Sequence, residues 1–211
     1  MRLRNDLHAT LVGDVPVFLD ERDGKYFHLR GSLAGHFLRF VEGTASPSAI
    51  ACLVDHRILI EGDVVSEALP ALAQIDRLGS HLPVDTFLIL KAAATQALID
   101  RRVRHTSFTK TLAALRRDIA RSVASTPSRR SRTEAEVVGA FEAARKIVPS
   151  IDRCLPRSIA MAAMLRAYGH EPTILFGVRL PFAAHCWVQC GPRVVSDPID
   201  DVRGLSPILW L

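Results

Sequence analysis

Of the cysteines at positions 52, 154, 186 and 190, Cys154 has the surroundings a nucleophile needs. It opens Cys154-Leu155-Pro156-Arg157-Ser158-Ile159-Ala160, a stretch that runs on to Tyr168-Gly169. Pro156 suits the first turn of a helix, where a missing N–H costs nothing. Leu155, Ile159, Ala162, Ala163 and Leu165 fall at helical spacing, and Gly169 is a natural stop. A thiol at that helix mouth meets unpaired backbone N–H groups and the positive end of the helix dipole, with Arg153 and Arg157 alongside. Both effects favour thiolate over thiol. The plain alternative is a small cysteine buried in a core.

Two further residues could complete the chemistry. His185 lies in Ala183-Ala184-His185-Cys186-Trp187-Val188, at the start of an expected strand, and Asp197 ends the next strand beyond a turn at Gly191-Pro192. Adjacent antiparallel strands can bring such a pair together on one face. The thiolate would attack a carbonyl carbon, the imidazole would hold or transfer the proton, and the carboxylate would fix the ring's tautomer. Backbone N–H groups at the helix start, including that of Cys154, are placed to stabilise an oxyanion. Each residue also has a structural reading: a histidine beside a tryptophan packs in a core, and Asp197 before Pro198 makes a turn.

Weaker candidates are Asp200 and Asp201, as substitutes for the carboxylate. His8, His28, His36, His56, His81 and His105 show no metal-ligand spacing, and no metal site is expected. His170 follows the terminal glycine of the cysteine helix and suits its last carbonyls. Cys186 and Cys190 share one face of their strand, which reads as two buried thiols.

Such a set must be held by helices packed on an antiparallel sheet, an α+β arrangement. The first sixty residues are β-rich. Val15, Val17 and Leu19 alternate with Pro16, Phe18 and Asp20, Arg22-Asp23-Gly24 turns, and Lys25-Tyr26-Phe27-His28-Leu29 returns. An earlier strand is expected near 8–12. Ser32 is the expected N-cap of a short helix, and Ser46-Pro47 opens another carrying Ala49, Ile50, Leu53 and Val54. Residues 58–60 close the unit. Its exposed sheet edge beside a helix suits an extended peptide adding as a strand; equally, the unit could be a cap on the rest.

A connector with some helical character follows. Pro83 then opens a helix to Arg104 with Phe87, Leu90, Ala94, Leu98 and Val103 inward. Ser107 caps a second helix, on which Leu112, Leu115, Ile119 and Val123 share a face. Residues 125–132 read as a basic, polar loop. Thr133-Glu134-Ala135-Glu136 is a capping box, with Val137, Phe141, Ala144 and Val148 along one side and Pro149-Ser150 as a stop. Strands are expected at 172–178, 183–190 and 193–197.

Composition narrows the class. Near-half apolar content with 23% charged residues describes a folded protein, not a disordered one. The apolar runs are too short to cross a bilayer, and no secretory signal opens the sequence, so the expected compartment is the cytoplasm. The net charge of +5 owes much to arginines between 101 and 132. No aromatic residues interleave with them as nucleic-acid binding would want, so they read as a solvated helix surface. No glycine-rich phosphate loop is present, and no cofactor is evident.

Cys154 to Ala160, Tyr168-Gly169, Phe176-Gly177-Val178-Arg179, Pro181-Phe182 followed by His185 and Trp187-Val188, and then Asp197, together resemble the lasso-peptide biosynthesis B proteins. These are transglutaminase-like, papain-like cysteine peptidases with a Cys–His–Asp triad in that order. The likeness spans about residues 83–211. Residues 1–62 resemble the small leader-recognition domain of peptide-modifying pathways, a β-hairpin/three-helix unit that is winged-helix-like and PqqD-like, leaving 63–82 as connector.

The resemblance implies a leader peptidase acting on a ribosomally made precursor, with Cys154 as nucleophile, His185 as general base and acid, and Asp197 as orienting residue. Lys25, Tyr26, Phe27, His28, Leu29, Ile50, Leu53 and Val54 would then meet the leader. The implied partners are the precursor leader and an asparagine-synthetase-like cyclase, and ATP dependence has been associated with the family's processing step. Cys186 and Gln189 depart from the family pattern, where alanine and an acidic residue are commoner. Two competing readings share the residues: acyl transfer of the transglutaminase or arylamine acetyltransferase type, and a non-catalytic leader-delivery protein.

Overall fold

The structure, a computed structural model, describes residues 1–63, 70–71, 73–76, 85–123, 132–148 and 153–211. The N-terminal module consists of β1 (Arg2–Leu3), β2 (Leu7–Val12), β3 (Val15–Asp20), β4 (Lys25–His28), α1 (Gly31–Val41), α2 (Pro47–Asp55) and β5 (Leu59–Ile60). β2, β3 and β4 form an antiparallel meander in which Phe18 faces Phe27 and Leu19 faces Tyr26, while β1 pairs with β5. Ser46 caps α2 as expected, accepting the Ala49 N–H at 3.2 Å, with Pro47 in the first turn. Ser32 does not cap α1. That helix starts two residues earlier, at Gly31 after Arg30, without a side-chain cap. Two helices rather than three are found among the described residues of this module.

Strand alternation decides how the module meets the rest of the chain. Phe18 points into the module's own core with Leu7, Leu29, Phe37, Leu53 and Leu59. Val17 and Leu19 point the other way, into the core of the second module. Polar contacts reinforce the junction. Thr109 donates its hydroxyl to the Glu21 carbonyl at 2.7 Å, and Arg116 clamps the Glu21 carboxylate, which also lies 2.6 Å from His8 Nε2. Burial alone would raise the Glu21 carboxyl, but Arg116 and His8 outweigh it and hold it down at about 2.

The second module contains α3 (Thr86–Arg104), α4 (Phe108–Val123), α5 (Glu134–Ala144), α6 (Cys154–Ala167), β6 (Pro172–Arg179), β7 (Ala183–Cys190), β8 (Arg193–Val194), α7 (Ile199–Val202) and β9 (Ser206–Trp210). Its antiparallel sheet has the order β8-β7-β6-β9. α6 is enclosed by α3, α5 and the sheet, which buries Ile159, Ala160, Met161, Ala162, Met164 and Leu165. The Thr133–Glu136 capping box opens α5 as expected. At the far end of α6, Gly169 takes φ +86°, and the Gly169 and His170 N–H groups close on the Arg166 and Leu165 carbonyls.

α3 shows where periodicity misleads. Most of the stripe expected inward is outward: Phe87, Leu90 and Leu98 are 70%, 56% and 69% exposed and Ala94 is exposed as well, while Val103 packs against the core as expected. Leu88, Ala92, Ala93, Gln96 and Asp100 face the core instead. The two stripes lie on nearly opposite faces of the helix, roughly 170° apart at 3.6 residues per turn, and both carry apolar residues, so spacing alone does not choose between them. The small Ala92 and Ala93 suit close approach to the neighbouring helices. Asp85 caps this helix by accepting the Phe87 N–H at 2.9 Å, so it begins at Thr86.

The connector's described part is not helical. Ile75 bridges Arg193 in parallel and accepts the Val194 N–H at 3.0 Å, extending the sheet past β8. The rest of the connector, Pro83, the basic loop before Arg132 and the Pro149-Ser150 stop lie outside the described residues. Among the described residues, no helix is long and apolar enough to cross a membrane.

Candidate active site

Every backbone N–H and C=O of a buried strand needs a partner. Of β7, β8 covers only Gln189 and Cys190, so β7 must find other partners for its edge nearer His185. Val188 finds them in the chain after β8: its N–H donates to Ser196 Oγ at 2.8 Å, and its carbonyl accepts the Val195 N–H at 2.9 Å. Cys186 finds them in α6. Ser158 donates its hydroxyl to the Cys186 carbonyl at 3.0 Å, and the Cys186 N–H reaches the sulfur of Cys154. Residues four apart on a helix share a face, so Cys154 and Ser158 together stand where a strand neighbour would be. This docking points the thiol at the strand that carries His185.

Three groups converge on the sulfur. Burial works against ionisation, but a hydrogen bond with His185 and the N–H groups of Cys186 and Leu155 outweigh it, so the Cys154 thiol sits below its usual range. The arginines expected to assist are engaged elsewhere, which corrects the sequence reading. Arg153 lies 3.2 Å from Asp100, which Arg104 also holds, and buried Arg157 reaches Glu142 at 2.7 Å and the Phe141 carbonyl at 3.3 Å. The imidazole and the backbone supply the polarisation.

His185 Nε2 lies 3.2 Å from Asp197 Oδ1, an ion-pair distance in which the N–H is not aligned for a full hydrogen bond. Loose geometry of this kind is ordinary where no substrate is bound. With Nε2 turned to the carboxylate, Nδ1 is the nitrogen left for the thiol. Asp197 and then Cys154 raise the imidazole to about 10 against the effect of burial. Burial would raise the Asp197 carboxyl too, but His185 and Ser196 hold it below its usual range. Ser196 is the hinge: it donates to Asp197 Oδ2 at 2.5 Å while its oxygen accepts the Val188 N–H. Neighbouring β7 residues complete the frame. The Trp187 indole lies parallel to the imidazole with ring centres 6.4 Å apart, and it donates to Gln189 Oε1 at 2.8 Å. Gly177, opposite His185, makes room for that indole, since a Cβ there would come within 2.7 Å of it.

The structure therefore brings Cys154, His185 and Asp197 together. Asp200 and Asp201 sit exposed on α7, where Asp200 pairs loosely with Arg203 at 3.8 Å, so neither serves as the carboxylate. The His170 ring contacts the Arg132 carbonyl at 2.6 Å rather than the end of α6; its backbone N–H does that work. Cys186 and Cys190 pack against the main core, and burial raises both thiols, Cys190 to about 12.

Of the residues expected to meet a peptide, Lys25, Phe27 and His28 are exposed on β4, whose outer edge pairs with no strand among the described residues. Val54 is exposed and Ile50 half-buried on α2. Leu29 and Leu53 are a correction: both are buried in the module's own core, so neither offers more than a sliver of surface to a peptide. Tyr26 is half-buried and turned toward the second module. The sequence reading missed Ser158 and Ser196, although their positions, four residues after Cys154 and one before Asp197, were the available signal.

Residues 95–210, more than half of the chain, match the transglutaminase-like superfamily. The chain belongs to that superfamily. Its fold commonly carries cysteine-protease or acyltransferase activity. The superfamily match takes in Cys154, His185 and Asp197 and leaves the N-terminal module outside. Neither a curated protein nor a solved structure matches the chain.

A cleft of about 970 Å³ lies beside α6, lined in part by Ile99, Leu115, Ile159 and Arg166, but none of the three site residues borders it. The chemistry sits at the N-terminal end of the same helix.

The ionisation pattern has a measurable consequence. An unperturbed cysteine is only about 3% thiolate at pH 7. With its thiol lowered and its imidazole still protonated, Cys154 should react with iodoacetamide at pH 7 at a substantial fraction of its rate at pH 9. His185→Gln should move that profile to higher pH. Peptide mapping of the alkylated cysteine checks it, and an unshifted profile in the variant would remove His185 as the thiol's partner.

Proposed function

We propose that the protein is a leader peptidase that cleaves a ribosomally made lasso-peptide precursor, exposing the core's α-amine for a partner cyclase of the asparagine-synthetase type. The observation that carries this reading is the polarised thiol of Cys154, held by β7 against His185 and Asp197, on the same body as a module with an open strand edge. The thiolate attacks the scissile carbonyl and the imidazolium protonates the leaving amine. Water, deprotonated by the same imidazole, then releases the acyl-enzyme. Asp197 keeps the ring oriented through both steps. An exposed edge at β4 suits a leader bound as an added strand, with Lys25, Phe27 and His28 as contacts on the strand and Ile50 and Val54 as contacts on α2. That delivery of a peptide favours hydrolysis of a peptide bond over transfer to a small amine.

ATP has no evident place in this scheme. No step runs through it.

The test is to incubate the purified full chain with a precursor carrying its leader and to follow the products by mass spectrometry. A single cut that leaves an intact leader and a free core N-terminus is expected. Acyl transfer to an added amine without hydrolysis would favour the acyltransferase reading instead.

A further inference from the structure

The N-terminal module reaches the β6–β7 turn that leads into His185. Tyr26 stands opposite Leu19 across the β3–β4 pair, and that register turns its ring away from the module's own core and onto the second module. There it meets Phe182 with ring centres 5.6 Å apart. Phe182 belongs to the turn between β6 and β7, three residues before His185, and is 59% exposed. Burial, with the charges of Cys186 and Cys154 behind it, raises the Tyr26 hydroxyl and keeps it protonated. Leu180, in the same turn and 40% exposed, lines a cleft of about 360 Å³ with Pro16, His28, Leu29 and Ala34 of the N-terminal module. An apolar surface thus runs from the β4 side of that module to the β6–β7 turn that leads into His185.

A large exposed aromatic three residues before the site's histidine marks a surface built to be covered. We propose that Tyr26 and Phe182 form a specificity wall, supplied half by each module, that receives an apolar side chain of the peptide next to the scissile bond. The proposal rests on the peptidase reading. It assigns the N-terminal module a second role: besides any leader contact at its strand edge, it completes the substrate cleft. Stacking or edge contact on such a pair adds to the area buried, and an acidic side chain in the same place would lose its water without gaining a partner.

The test uses the full chain and two irreversible peptide reagents, a phenylalanyl-alanyl fluoromethyl ketone and its aspartyl-alanyl counterpart, with iodoacetamide reporting on the thiol alone. In the unmodified protein the phenylalanyl reagent should inactivate at least about tenfold faster than the aspartyl one. Tyr26→Ala and Phe182→Ala should each cut that ratio to below about threefold, and Tyr26→Phe, which keeps the ring, should retain most of it. Phe182 is exposed enough that its variant tests the wall without disturbing the fold. A ratio unchanged in both alanine variants overturns the wall and leaves the peptidase reading intact. Labelling of Cys154 by iodoacetamide but by neither ketone overturns both.

Discussion

Replacing Cys154 with alanine should slow leader cleavage by at least about 1,000-fold while precursor affinity stays within about twofold. The size follows from covalent catalysis, because without the nucleophile only binding and any oxyanion stabilisation remain. No other cysteine can stand in. Cys186 and Cys190 carry thiols raised by burial, so the thiolate is disfavoured at both. Cys52 does lie 3.8 Å from His56 Nδ1, but that nitrogen is also within 2.8 Å of the Cys52 carbonyl, and the pair sits on exposed α2. Cleavage by the Cys154 variant at more than a tenth of the normal rate would place the nucleophile elsewhere. Leader affinity measured on the same variant by fluorescence anisotropy separates a lost reaction from a lost complex.

The three reacting residues were legible because each carries a local signature. Pro156 and Gly169 bracket a helix whose first residue is Cys154, and His185 sits on a strand whose alternation is plain; the strand expected over 193–197 is only Arg193–Val194, and Asp197 falls in the bend after it. What polarises the thiol was not legible. Arg153 and Arg157 flank Cys154 in sequence, yet their charges go to Asp100 and Glu142, residues brought close only by the packing of α3 and α5. The Cys186 N–H that meets the sulfur is free to do so only because β8 is short, a feature of register rather than of residue type. The same holds for α3, where two apolar stripes compete and the choice is made by the neighbouring helices. Local chemistry was readable, and the contacts that tune it were not.

Deleting residues 1–62 is expected to cost the fold and not merely leader binding. As a detachable domain, the N-terminal module could be removed with the thiol still reactive, but the structure gives it a share of the main core. Val17 and Leu19, 2% and 0% exposed, pack with the side chains of α3 to α6 and the sheet. Burying each contributes about 1.5–3 kcal/mol, against a total stability of roughly 5–15 kcal/mol for a typical domain. Removing the strand would also uncover Phe108 and Phe176, whose rings meet edge to face beneath the β3–β4 turn, and would leave Arg116 without Glu21. The truncated chain should show no cooperative thermal transition in near-ultraviolet circular dichroism and should bind a hydrophobic dye. A cooperative melt within about 5 °C of the full chain would show that the second module folds alone. If the truncated chain does stay folded, its cleft lacks Tyr26, so it should react with both fluoromethyl ketones at similar rates. Loss of folding and loss of selectivity are then distinct outcomes, and each reports on a different part of the same interface.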